Sequence, residues 1–122
     1  MSTLKVANLQ NTGSGAPTVK NSSGTEVGQF CKAWCNFQGT GTVTIRDSFN
    51  ITSITDRDTG KYTLNFTSAM PNTNYAAVFG ANADTAGYAG PETQNTSSLL
   101  VFGSYDGSFY DISIGNVAVF GD

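Results

Sequence analysis

From Phe30 onward, apolar and polar residues alternate with a period of two, the spacing that turns one face of a strand inward. Ala33, Cys35 and Phe37 fall on one face, with Trp34 and Asn36 on the other. The GTG at 39–41 turns the chain, after which Val43 and Ile45 face one way and Thr42, Thr44 and Arg46 the other. Phe49, Ile51 and the offset Ile54 predict a further strand with an irregularity. Asp56-Arg57-Asp58-Thr59-Gly60 reads as a hairpin-type turn with Gly60 free to take positive φ. Tyr62, Leu64 and Phe66 then alternate cleanly, and Met70-Pro71-Asn72-Thr73-Asn74 turns the chain into an apolar strand from Tyr75 to Phe79. Residues 80–97, GANADTAGYAGPETQNTS, read as a long polar loop, and hence as the first candidate for a contact surface. Leu99 to Phe102 is a strand, and Asp106-Gly107 is a hairpin signal. The last strand runs from Phe109 to about Phe120. Its two apolar phases, Ile112/Ile114 and Val117/Val119, are reconciled by a bulge near Gly115-Asn116.

This makes roughly seven or eight short strands without helical periodicity, which predicts an all-β fold, an antiparallel β-sandwich of jelly-roll-like type over residues 30–122. Residues 1–29 break the pattern. Leu4, Val6 and Leu9 are the sizeable apolar residues ahead of a run rich in Gly, Ser, Thr and Asn, which buries too little surface to fold alone. An extended N-terminal arm is expected there. Leu4-Lys5-Val6 alternates like an added strand, so Leu4, Val6 and Leu9 are the expected subunit or virion contacts of the arm.

Composition narrows the classes. A chain of 122 residues fits one domain, and 39% apolar with 12% charged leaves a surplus of short uncharged polar residues suited to strand faces and turns. The net charge of −3 offers no electrostatic footprint for nucleic acid. All six basic residues lie at or before Lys61, whereas residues 62–122 carry five acidic ones. No apolar run approaches the ~20 residues of a membrane helix, and MSTLKVANLQ lacks an apolar signal core, so synthesis in a cytoplasm is expected. Cys31 and Cys35 on one strand would stand about 13 Å apart, too far for a disulfide. They read as small buried hydrophobes.

The chain has no histidine, which removes the commonest general base and metal ligand. A serine nucleophile would lack its partner, and the carboxylates available for a paired mechanism, Asp47, Asp56, Asp58 and Asp111, sit at turns or outward positions. No enzymatic activity, cofactor or metal site is therefore expected. Asp56-Arg57-Asp58 echoes an acidic calcium loop, but the EF-hand spacing is absent. Among the aromatics Trp34, Tyr88, Tyr105, Phe109 and Tyr110, the candidate ligand or receptor contacts are Trp34, Tyr88, Tyr105 and Phe109, with Tyr88 first because it falls in the long loop.

Residues 33–79 resemble a module recurrent in tail-fibre and virion structural proteins of tailed bacteriophages, marine and cyanophage types especially. The resemblance rests on an A-W-x-N-F strand (Ala33, Trp34, Asn36, Phe37), then Gly41, Ile45, Arg46, Ser48, Asn50, Ile54 and Asp56, and then Gly60, Tyr62, Phe66, Met70, Pro71, Asn74 and Tyr75. The opening MSTLKVANLQNT resembles the start of such proteins more loosely. The resemblance implies a non-enzymatic virion surface component, often a homotrimer, whose partners are other capsid or tail proteins and host surface glycan or protein. The chain is short for a fibre, lacking a long shaft, which brings in a second expectation, a capsid decoration or cement protein. A third is a carbohydrate-binding adhesin module.

Overall fold

The computed structural model describes residues 1–13, 15–82 and 87–121, which fall into two compact units, residues 1–30 and 31–122. The first unit holds a two-stranded antiparallel ribbon of β1 (Val19–Lys20) and β2 (Glu26–Gly28). The side chain of Asn21 sets its turn, since Oδ1 accepts from the amides of Ser23 (3.1 Å) and Thr25 (3.0 Å). The stretch expected as an arm thus contains a local hairpin. Leu4, Val6 and Leu9 lie outside it and are exposed.

The second unit is an antiparallel sandwich with no helix among the described residues. Its strands are β3 (Ala33–Gln38), β4 (Thr44–Phe49), β5 (Ile51–Asp58), β6 (Lys61–Phe66), β7 (Ala76–Ala81), β8 (Gly87–Gln94), β9 (Ser98–Tyr105), β10 (Ser108–Phe109) and β11 (Gly115–Phe120). One sheet has the order β4-β3-β11-β7; the other has the order β10-β9-β6-β5, with β8 also paired to β9. The alternation read from the sequence decides which side chains lie between the sheets. Phe37, Tyr62, Leu64, Leu99, Val101 and Val119 are fully buried, and Phe37 meets Tyr62 edge-to-face with ring centres 5.2 Å apart. Phe66 and Tyr75 make a second such pair at 5.8 Å.

Two expected strands are instead pairs of strands divided between the sheets. The chain corners at Asn50, which takes φ 58°, a conformation Asn tolerates better than most residues, so Phe49 ends β4 and Ile51 opens β5; the expected irregularity at Ile54 is the register shift between Ile51 and Ser53 within β5. Asn50 Nδ2 donates to the carbonyls of Lys32 and Ser68 (3.1 Å each) and its Oδ1 accepts the Ser68 amide (2.7 Å). The segment then enters the opposite sheet as β5. Likewise the phase change near Gly115 is no bulge. β10 belongs to one sheet, β11 to the other, and residues 110–114 cross between them. The supposed loop at 80–97 is largely strand, the end of β7 and all of β8, because Tyr88 to Gln94 find partners along β9; residues 83–86 lie outside the described residues.

Arg46, the extra residue of a bulge in β4, donates to the carbonyls of Phe37 (2.8 Å) and Ser113 (2.7 Å), tying this edge to the crossing segment. Both cysteines are free thiols, and Cys35 is buried. Burial, helped by the charge of Asp47, pushes the Cys35 thiol up from 9.0 to about 11. Burial also lifts the phenols of Tyr62 and Tyr75 above their ordinary value of 10.0. The folded chain therefore holds these protons more tightly than the unfolded one. The stability these three groups contribute should be fully present below about pH 9 and be lost progressively above it, and urea denaturation at a series of alkaline pH values checks this. An undiminished midpoint at pH 11 would contradict the burial of these groups.

Candidate functional site: an aromatic cleft at the crossing end

The crossing segment 110–114 makes a site because it is pinned from below. Gly60, in the β5–β6 turn at φ 68°, donates its amide to Asp111 Oδ1 (2.7 Å). The Tyr62 hydroxyl lies 3.1 Å from both Asp111 Oδ1 and the Gly39 carbonyl, and accepts the Ile112 amide at 3.2 Å. Tyr110 donates its amide to Gly103 O at 3.0 Å, and Gly103 donates to Gly60 O at 2.8 Å. From the side, Asn82 closes on the same segment. Its Oδ1 accepts the Ile114 amide and its Nδ2 donates to Ser113 Oγ, both at 2.7 Å.

Over this support lies a cleft of about 260 Å³, lined by the ends of β7, β8 and β9, the crossing segment and Thr40. Among the described residues its chemistry is aromatic and uncharged-polar, with the one carboxylate of Asp111. Tyr88, Tyr105 and Tyr110 line it together with Asn82, Ser104, Asp111 and Ser113. Tyr105 and Tyr110 stand with ring centres 6.2 Å apart, and all three tyrosines are exposed. Exposed aromatic faces beside hydroxyl and amide groups suit a ligand that is apolar on its faces and polar at its edges.

Of the four aromatics expected at a contact site, the structure brings together Tyr88 and Tyr105. Trp34 lies elsewhere, on the outer face of the β4-β3-β11-β7 sheet. The register there sets Phe49, Trp34, Ala118 and Val78 in one row across four strands, with the three larger side chains exposed. Phe109 is not among the cleft residues. It packs edge-on against Phe102, ring centres 6.1 Å apart, under the Lys61 ammonium at 4.2 Å. Lys61 also pairs with Glu92 at 3.0 Å. Tyr110 is the cleft aromatic that the sequence reading leaves out of the candidate contacts, and Asn82, Ser104, Asp111 and Ser113 are left out with it. Finding Tyr110 requires knowing that the chain changes sheets after Phe109, and the apolar phase shift at 115–117 was the available signal.

Asp56, Asp58 and Asp111 border a second, shallow depression with Arg57 and Thr59. Among the described residues no three Cys, Asp or Glu side chains converge as metal ligands would. No helix there is long and apolar enough to cross a membrane. Comparison of the chain with protein-family models, with curated proteins and with solved structures finds no match.

Proposed function

We infer that this chain is a non-enzymatic virion surface component of a tailed bacteriophage, tail-fibre-like, which makes its outward contact through the tyrosine cleft. The observation that carries the contact role is the cleft itself. Three exposed tyrosines and several polar groups gather at one end of the sandwich, over a hydrogen-bonded floor that fixes their positions. The phage setting rests on the sequence resemblance. Many positions carrying that resemblance do structural work: Arg46, Asn50, Gly60 and Tyr62 make the ties and corners, and Phe37, Phe66, Met70 and Tyr75 fill the core. A pattern that specifies a scaffold leaves the contact surface free to vary.

The ligand class that suits the cleft is a saccharide of the host surface, whose ring faces stack on tyrosine and whose hydroxyls reach Asn82, Ser104 and Asp111. Replacing Tyr105 and Tyr110 together by Ser removes two stacking faces worth about 0.5–1.5 kcal/mol each. Particles carrying the double variant should adsorb to host cells about tenfold less well, with incorporation into particles unchanged. A capsid decoration role is favoured by a different feature, the Phe49–Trp34–Ala118–Val78 row, an apolar strip suited to a flat protein neighbour. In either setting Leu4, Val6 and Leu9 offer exposed apolar side chains to neighbouring virion proteins.

Antibody-gold labelling of intact particles that encode the chain, read by electron microscopy, tests the reading. Gold on the tail or its fibres supports host attachment, and gold over the head supports decoration. Bare particles, with the epitope shown to be accessible on the isolated protein, would overturn the virion assignment.

A further inference from the structure

Three features of the tyrosine cleft share one electrostatic sign. The first is its set of rings. An aromatic face is the negative side of the ring quadrupole, so it attracts a cation and repels an anion. Tyr88, Tyr105 and Tyr110 line the cleft with exposed side chains, and Tyr105 and Tyr110 are tilted at 60° to each other.

The second is Asp111. Its Oδ1 takes the Gly60 amide at 2.7 Å and lies 3.1 Å from the Tyr62 hydroxyl. Among the described residues Oδ2 takes no hydrogen bond and the carboxylate has no ion pair, so acceptor capacity and charge are left for a ligand. The third is the lack of a base. Apart from Thr40, every lining residue falls within 81–89 or 103–113, and across those stretches the sequence has three acidic residues and no Lys or Arg. Arg46 reaches Ser113 from the β4 edge, but the carbonyls of Phe37 and Ser113 hold its guanidinium outside the cleft lining. Lys61 is paired with Glu92. Arg57 shares the second depression with Asp56, Asp58 and Asp111, where carboxylates outnumber it.

We propose that the cleft selects its saccharide by charge: it takes a sugar bearing a free amino group, whose ammonium is held by the tyrosine faces and the Asp111 carboxylate, and it rejects uronic and other acidic sugars. Asp111 is then the specificity-determining residue. This rests on the saccharide reading of the cleft given above. A neutral sugar keeps the stacking and the hydroxyl hydrogen bonds, so it binds, but more weakly. An acidic sugar brings a second carboxylate up to Asp111 with no base to pair it, and like charges at close range repel.

Three tetrasaccharides on one β-1,4-linked skeleton, built from glucosamine, glucose and glucuronic acid, test this. Each is titrated calorimetrically into the full chain in mildly acidic, low-salt buffer, which keeps the amines protonated. The glucosamine tetramer should bind about tenfold more tightly than the glucose one, through one ion pair and one cation–π contact, and the glucuronic acid tetramer should bind most weakly. Asp111→Asn keeps an Oδ1 for Gly60 and Tyr62 and removes the charge, so the preference for glucosamine should fall to about threefold, the cation–π share. Glu26→Gln removes a charge from the first unit and should leave the preference unchanged. Thermal melting establishes that each variant is folded. In the parent chain, concentrated salt, which screens charges beyond about 3 Å, should shrink the preference without any substitution. Equal binding of the three tetramers, a preference unmoved by salt, one undiminished in folded Asp111→Asn, or one lost equally in Glu26→Gln would each overturn the charge selection and leave the saccharide reading standing. Binding of none of the three would overturn both.

Discussion

Gly60→Ala should remove about 3–5 kcal/mol of stability, the largest loss expected from a change this small. Two costs add. At φ 68° any residue with a Cβ is strained by roughly 1–2 kcal/mol. The added Cβ would also stand 2.6 Å from Gly103 O and from Tyr110 N and 2.7 Å from Tyr110 O. These are backbone atoms held by their own hydrogen bonds, so they cannot swing aside as a side-chain tip would. Gly41→Ala supplies the comparison, since Gly41 has φ 64° but open space around it. It should cost only the conformational part. Against a total of about 5–15 kcal/mol for a typical domain, the Gly60 variant should melt roughly 15 °C or more below the parent, and the Gly41 variant within about 10 °C of it. Equal losses at the two glycines would show that the approach of the crossing segment to the β5–β6 turn is looser than the structure has it.

Tyr62→Phe should cost about 2–3 kcal/mol although it deletes one hydroxyl and leaves the packed ring in place. The hydroxyl accepts the buried Ile112 amide and reaches both the Gly39 carbonyl and Asp111. Phenylalanine offers none of them a partner, and the orphaned Ile112 amide carries the larger share of the cost. The same substitution should reach the cleft. Tyr62 is fully buried and does not line it, yet Asp111 and Ile112, which follow Tyr110, lose an anchor. Denaturant unfolding measures the first effect. Host adsorption by particles carrying Tyr62→Phe, at a temperature where the variant remains folded, measures the second. Lost stability with intact adsorption would mean that the other ties, from Gly60, Gly103, Asn82, Arg46 and the Gly39 amide, suffice to hold the segment.

The two sites differ in how far the sequence reveals them. Core positions such as Phe37, Leu64 and Val119 are legible because burial imposes a period of two on a strand whatever surrounds it. The turns at Gly60 and at Asp106-Gly107 are legible because positive φ narrows the choice of residue, and the structure has it at all three. The sheet of a given strand is a non-local property, and there the reading slips. At Asn50 the chain changes sheets with Phe49 and Ile51 still two apart, so no shift of apolar phase marks the corner, and at 110–114 the crossing shows the same shift that a bulge would. The cleft inherits that ambiguity, being assembled from five chain segments by the very crossing that periodicity cannot see. Trp34 shows the converse. Alternation places it outward, but on the β4-β3-β11-β7 face rather than at the cleft.

The central position of β11 has a consequence for how the chain acquires its structure. β3 and β7 are not neighbours; each pairs with β11, and the Asn36–Asn116 hydrogen bond joins residues 80 apart in sequence. That sheet cannot close until residues 115–120 have been synthesised, so during translation β3 and β7 wait with open edges. Closure across so long a loop is slow relative to hairpin formation, because the chain entropy is lost before the contacts repay it. The β5–β6 and β9–β10 hairpins, joined by short turns, are ready much earlier. Folding is thus expected to proceed from one sheet to the other, with a late, rate-limiting insertion of the final strand. A premature stop a few codons upstream of β11 would leave a chain with most of its sequence and only one of its two sheets.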